Sequence, residues 1–150
     1  MSIAGLPLHP LVVHAAVVFG PLSALAAIAY VVLPKYRDVL RWPTLVLVLI
    51  AFGSIWAAYL TGNNFFASDH FKNFSGEILD RIHKHQNYAK TLRWIITGFA
   101  LVTGAATWQH KRTPGTLRTA LNVLVVIFAV ATLVWVGLTG DAGARAVWGS

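Results

Sequence analysis

The stretch Leu11–Leu33, LVVHAAVVFGPLSALAAIAYVVL, holds a single side chain, His14, that can carry charge near neutral pH. A helix needs about 20 apolar residues to cross a hydrocarbon core of roughly 30 Å. The run is too long and too continuous for a barrel strand, which alternates over about ten residues. It also lacks the polar stripe at 3.6-residue spacing that marks a helix of a soluble bundle. It reads as a membrane-spanning helix, with Gly20-Pro21 as an expected kink.

Three further runs repeat the pattern: Pro43–Thr61, Leu92–Trp108 and Ala120–Thr139. Pro43 suits a first helical turn, where its missing N–H is not needed. The expected fold is all-α, an integral membrane four-helix bundle forming a single domain over residues 1–150. Its spans are expected at about 11–33, 43–61, 92–108 and 120–139. Composition agrees, since only 11% of residues are charged where a soluble domain carries about 25%. Mean hydropathy is +0.64.

The chain has no cysteine. That excludes a disulfide scaffold, thiolate zinc, iron–sulfur clusters and covalent c-type haem. A net charge of +7 could suggest nucleic acid, but the twelve Lys and Arg lie almost entirely in the gaps between apolar runs. Cations flank membrane spans there, whereas nucleic-acid readers gather them on one exposed face. The expected partner is the lipid bilayer, with no nucleic acid.

The third helix is predicted to extend past its span. Ile78, Leu79, Ile82, Tyr88, Ala89 and Leu92 are spaced for a helix starting near Gly76, capped by Ser75, with Glu77 in its first turn. It would stand proud of the bilayer on the outer side, after an interfacial loop or short helix over Asn63–Phe74. No internal repeat is visible. The gaps Pro34–Trp42 and Gln109–Thr119 are short, basic and hold a single acid, Asp38. They assign themselves to the cytoplasm, which leaves both termini on the outer face of a multi-pass plasma-membrane protein.

On that topology the histidines gather on one side. His9 and His14 open the first span, and His70, His83 and His85 lie in the outer segment. Asp141 and Arg145 follow the fourth span, and only His110 is cytoplasmic. His14 lies about one turn inside an apolar span, either as a neutral hydrogen-bonded group or as a functional one. His83 and His85 are roughly 200° apart on a helix. His85 continues into the apolar track Ala89, Leu92, Ile96 and is the inward residue of the two.

A pairing of His14 with His85 would make a bis-imidazole site for b-type haem between facing helices. Arg81, Lys84, Lys90 and Arg145 are near enough in sequence for propionates, with Asp141 and Arg145 orienting an imidazole or a propionate. A zinc or copper ion on His9, His14 and His85, or on His9, His14 and Asp141, is the lesser version, and a site with no cofactor is the remaining one. Gly53–Ala57 and Ala100–Gly104 have the small-xxx-small spacing of close helix contact. Trp42, Trp94, Trp108 and Trp148 mark an aromatic belt, and Asn122 is expected to bond a neighbouring helix. No phosphate loop, nucleophile elbow or carboxylate pair occurs. No catalytic constellation is recognised, and the chain is not expected to be an enzyme on its own.

Three blocks together resemble a known family: Gly5-Leu6-Pro7-Leu8-His9-Pro10-Leu11-Val12-Val13-His14, then His85 with Leu92 and Trp94, then Thr139-Gly140-Asp141-Ala142-Gly143-Ala144-Arg145-Ala146-Val147-Trp148. They are similar to the four-helix membrane proteins catalogued as domain of unknown function 2231, in particular an actinobacterial-like branch. The resemblance implies four spans, outward termini and His9, His14, His85, Asp141 and Gly143 as the positions of interest; it implies no activity. Ala15-Ala16 stands where many relatives have Phe-Pro, and Asn63-Asn64 where an acid is often found. The expected function is haem or metal binding at the outer face in association with electron transfer. The rival is a non-catalytic accessory subunit fitted against a larger membrane complex such as a respiratory assembly, or against its own copies.

Overall fold

A computed structural model describes residues 2–3, 6–66, 76–109 and 115–149. Four helices dominate it: α1 (Leu8–Val32), α2 (Arg37–Phe66), α3 (Glu77–Trp108) and α4 (Thr116–Trp148). A single 3-10 turn, Pro34–Tyr36, joins α1 to α2. Two short strands, β1 (Ser2–Ile3) and β2 (Leu6–Pro7), pair antiparallel ahead of α1. Each helix packs on its two neighbours in a cycle, so α1 and α3 stand diagonally across the bundle. The start of α1 and the end of α4 lie at one end of the bundle, the terminal end. The junction of α1 with α2, the end of α3 and the start of α4 lie at the other, the connector end.

The helices outrun the spans. α1 starts at Leu8, because Pro10 falls in the first turn, where no intrahelical N–H is required. His9 therefore follows the helical rotation and is not set off from it by Pro10. α2 continues through Asn63 and Asn64 to Phe66, so the expected interfacial loop is helical in its first residues; the remainder, with Ser75 and His70, lies outside the described residues. α3 begins at Glu77, with Glu77 and Asp80 at its positive N-terminal end. α4 ends on Gly149, whose φ of 75° is a conformation open mainly to glycine.

α1, the stretch Pro34–Asn64 and α4 are long and apolar enough to cross a membrane. α3 has the length, but its first half carries Asp80, Arg81, Lys84 and Lys90, and only its second half is apolar. Large apolar side chains cover the outside, with Leu101 at 70% exposure. A soluble protein would not tolerate that surface, but a bilayer solvates it. The inside mixes small residues, among them Ala24, Ala27 and Ala51, with larger ones such as Ile96 and Phe99, and the buried hydroxyls of Ser23, Thr107 and Thr132 are bonded to carbonyls of their own helices.

The close contacts are not at the expected small-residue pairs. Nothing lies within 4 Å of a Cβ built on Gly53 or Gly104. Ala51 and Ile55 are buried, and Gly53 between them faces outward by helical rotation. Tight approaches occur at Gly20 against Val136, and at Gly98 against the ring of Phe128.

The bundle is a duplication, although no repeat is legible in the chain. Buried Ala16, Gly20, Ser23, Ala27 and Tyr30 of α1 correspond, at one constant offset, to buried Leu92, Ile96, Phe99, Thr103 and Ala106 of α3. Thr44, Val48, Ala51, Ile55 and Thr61 of α2 correspond in the same way to Val125, Ala129, Thr132, Val136 and Ala142 of α4. The paired residues share burial and not identity. Two helical hairpins are thus related by a pseudo-two-fold axis running along the bundle.

Candidate functional site

The duplication places two histidines in equivalent settings at the terminal end. His9 of α1 leans onto α2, where its Nδ1 lies 2.9 Å from the Ala58 carbonyl and 3.3 Å from Thr61 Oγ1. His85 holds the matching position in α3 and leans onto α4, with Nδ1 2.9 Å from the Thr139 carbonyl. Thr139 is in turn the α4 counterpart of Ala58, by the offset that relates α2 to α4. A carbonyl only accepts, so in both rings Nδ1 carries the proton and the lone pair sits on Nε2.

Glycines make this reach feasible. Each accepting carbonyl belongs to the residue one helical turn before a glycine, Gly62 or Gly143, and in a regular helix it also receives that glycine's N–H. An imidazole can share such a carbonyl only if the glycine position carries no side chain. A Cβ on Gly62 would lie 2.9 Å from His9 Cε1, and one on Gly143 would lie 3.0 Å from His85 Cε1. The motif is therefore His on one helix, carbonyl and glycine on the next, occurring twice.

Burial holds the His9 imidazole below the ordinary 6.5 against the pull of the Ala58 carbonyl, and His85 adds to the lowering. His85 stands before the apolar half of α3. Burial pushes its imidazole below the ordinary 6.5, and the Thr139 carbonyl pulls only partly the other way. His85 is therefore neutral at pH 7, the form that can act as a ligand. Beside it, the Thr139 hydroxyl is buried with no hydrogen-bond partner, an oxygen that a bound group would satisfy.

The other named residues sit elsewhere. His14 is exposed, with Nδ1 2.6 Å from the carbonyl of Pro10 in its own helix. The step from His9 to His14 is a rotation of roughly 140°, so one ring faces inward and the other outward. His83 is exposed too, against the edge of the Phe66 ring at 5.7 Å. Asp141 and Arg145 pair with each other at 2.8 Å on the exposed side of α4, so His85 is oriented by a backbone carbonyl and not by the Asp141 carboxylate. Arg81 reaches from α3 to the Arg145 carbonyl and to Glu77. His70 and His110 lie outside the described residues. Among the described residues no three of His, Asp and Glu come together as an ion site.

Sequence reasoning passed over Gly62, the Thr139 hydroxyl and Arg93. Arg93 lies within the third apolar run, its guanidinium 4.2 Å from the ring centre of Tyr59, 5.0 Å from Trp94 and 5.4 Å from Trp56. The signal available was a lone arginine in an apolar stretch, next to a tryptophan. For Gly62 no local signal existed, because its role depends on a ring carried by a different helix.

A family model described as "Predicted membrane protein (DUF2231)" matches residues 5–150. No curated protein and no solved structure matches the chain.

Proposed function

Because the chain belongs to DUF2231, a family of predicted membrane proteins, we propose that it is a multi-pass plasma-membrane protein whose His9 and His85 hold b-type haem, at the outer face, for electron transfer. The observation that carries this is the duplicated histidine setting. Both rings donate Nδ1–H to a backbone carbonyl and so keep the lone pair on Nε2, the atom that would ligate. A bis-histidine haem takes two protein ligands from facing helices. Zinc takes three or four, and no third ligand joins the pair among the described residues, so zinc or copper is the weaker reading.

Bound haem would supply a one-electron couple. The chain would supply two neutral imidazoles made more basic by their carbonyls, and the Thr139 hydroxyl as a donor. The pairing is His9 with His85 in place of His14 with His85, since His14 faces outward on α1.

The test is a visible spectrum of detergent-purified protein made with ample haem, oxidised and then reduced with dithionite. A Soret band with sharp reduced α and β bands is expected. His9→Leu and His85→Leu should each abolish them, and His14→Leu should leave them intact. A colourless protein that also holds no metal would overturn the reading. Co-purification with a larger membrane complex would then favour the accessory-subunit role.

A further inference from the structure

The pseudo-two-fold bundle has two equivalent crevices at the connector end, one between α2 and α3 and one between α4 and α1. The first is filled. Arg41 of α2 crosses it and donates from Nε to the Thr107 carbonyl of α3 at 2.9 Å, with its guanidinium 4.8 Å from the centre of the Trp42 ring. In the second crevice Asn122 stands at the Arg41 position and Val31 at the Thr107 position, by the same two offsets that relate the buried residues. An asparagine is too short to cross. The crevice stays open as a cavity of about 450 Å³ whose lining joins apolar Val31, Val126 and Ile127 to polar Arg37, Arg118 and Asn122. Asn122, expected to bond a neighbouring helix, has no such bond among the described residues and lines this space instead.

The rim is cationic and incompletely balanced. Arg37 is committed to the last turn of α1, where its Nε donates to the Tyr30 carbonyl at 3.0 Å. Arg118 has no hydrogen-bond or ion-pair partner among the described residues. Arg118, Arg37 and Arg41 all lie within electrostatic reach of the Tyr30 hydroxyl, with Asp38 the one acid among them. A volume of this size falls within the range of small-molecule sites, about 300–1,000 Å³.

We propose that this crevice is a binding site for an anionic phospholipid of the leaflet at the connector end. One acyl chain would lie along Val31, Val126 and Ile127. The phosphate would be met by Arg118, with Arg37 adding positive charge from its place on the last turn of α1, and the ester region by the Asn122 amide. The charge complementarity decides the class of lipid. A zwitterionic headgroup would bring a cation together with its phosphate and leave the rim's net charge uncompensated, whereas each basic residue near a membrane surface favours an anionic lipid by about fivefold.

Native mass spectrometry of the detergent-purified protein, titrated with phosphatidylglycerol or phosphatidylcholine, tests this. One phosphatidylglycerol should be retained in preference to phosphatidylcholine. Arg118→Gln should cut that preference about fivefold and leave phosphatidylcholine retention alone. Asn122→Arg should abolish lipid retention even though it adds a positive charge, because it rebuilds the plug that Arg41 makes in the other half. Tighter phosphatidylglycerol binding by Asn122→Arg would overturn the proposal in favour of general surface attraction. Equal retention of the two lipids by the unmodified chain would overturn it as well. So would a two-chain species that Asn122→Arg dissociates, since a second copy would then be the occupant.

Discussion

Alanine at Gly62 or Gly143 measures how firmly the two imidazoles are held. A methyl at Gly62 would stand 2.9 Å from His9 Cε1 and 3.2 Å from Nδ1; at Gly143 the corresponding distances to His85 are 3.0 and 3.1 Å. Non-bonded carbons rest at about 3.5–4.0 Å, so each ring must retreat by roughly half an ångström. That stretches a 2.9 Å hydrogen bond to about 3.4 Å, near the limit of useful geometry. A buried donor left unsatisfied costs about 1–3 kcal/mol. Against it, alanine gains about 0.8–1.0 kcal/mol over glycine in a helix interior. Gly53 in α2 and Gly137 in α4 isolate that gain, since nothing lies within 4 Å of a Cβ at either. Gly53→Ala and Gly137→Ala should therefore stabilise by up to about 1 kcal/mol, and Gly62→Ala and Gly143→Ala should fall about 1–3 kcal/mol below them. Unfolding in mixed micelles, followed by tryptophan fluorescence, gives the four midpoints. If all four substitutions stabilise alike, the carbonyls do not hold the rings, and the two-imidazole site loses its basis.

Acid should weaken the fold through His85. Its folded pKa lies below the ordinary 6.5, so the unfolded chain binds more protons as pH falls from 6.5 toward the folded value. Stability is complete above about pH 6.5 and declines below it; His85→Gln should flatten that part of a midpoint-against-pH curve, and an unchanged slope would count against a buried neutral ring. His14→Leu should alter stability by less than about 0.5 kcal/mol, because the side chain is exposed and bonds only within its own turn; a larger loss would show that His14 has a partner across the bundle. Gly98→Ala would drive a methyl into the Phe128 ring and should cost about 1–3 kcal/mol, read as a lowered midpoint with α3 and α4 loosened in hydrogen exchange. A neutral or stabilising result there would mean that the two helices do not approach at that glycine.

The four helices and their membrane setting were legible because each run reports its own solvent. A stretch such as Leu11–Leu33 is apolar all round, and a bilayer imposes that requirement residue by residue, independently of what the helix packs against. His85 was legible as inward for a related reason, since one helix's periodicity places it on the track of Leu92 and Ile96. The choice between His9 and His14 was not. It turned on where α1 begins, and Pro10 occupies the first turn, which puts His9 on the helix with His14.

Sequence alone determined the membrane class, the number of helices, their approximate places and the end of the bundle where histidines collect. These follow from local composition and from the 3.6-residue period. Tertiary structure alone decided that the bundle is a duplication, that His9 and His85 are its equivalent pair, and that Gly62 and Gly143 are the surfaces on which they rest. It also decided that Asn122 leaves open a crevice which Arg41 closes in the other half. Inside a bilayer-solvated bundle, packing selects residues by size and by the atoms opposite them. Equivalent positions such as Gly20 and Ile96 can then differ in identity while sharing a role, and only their spatial neighbours reveal the match.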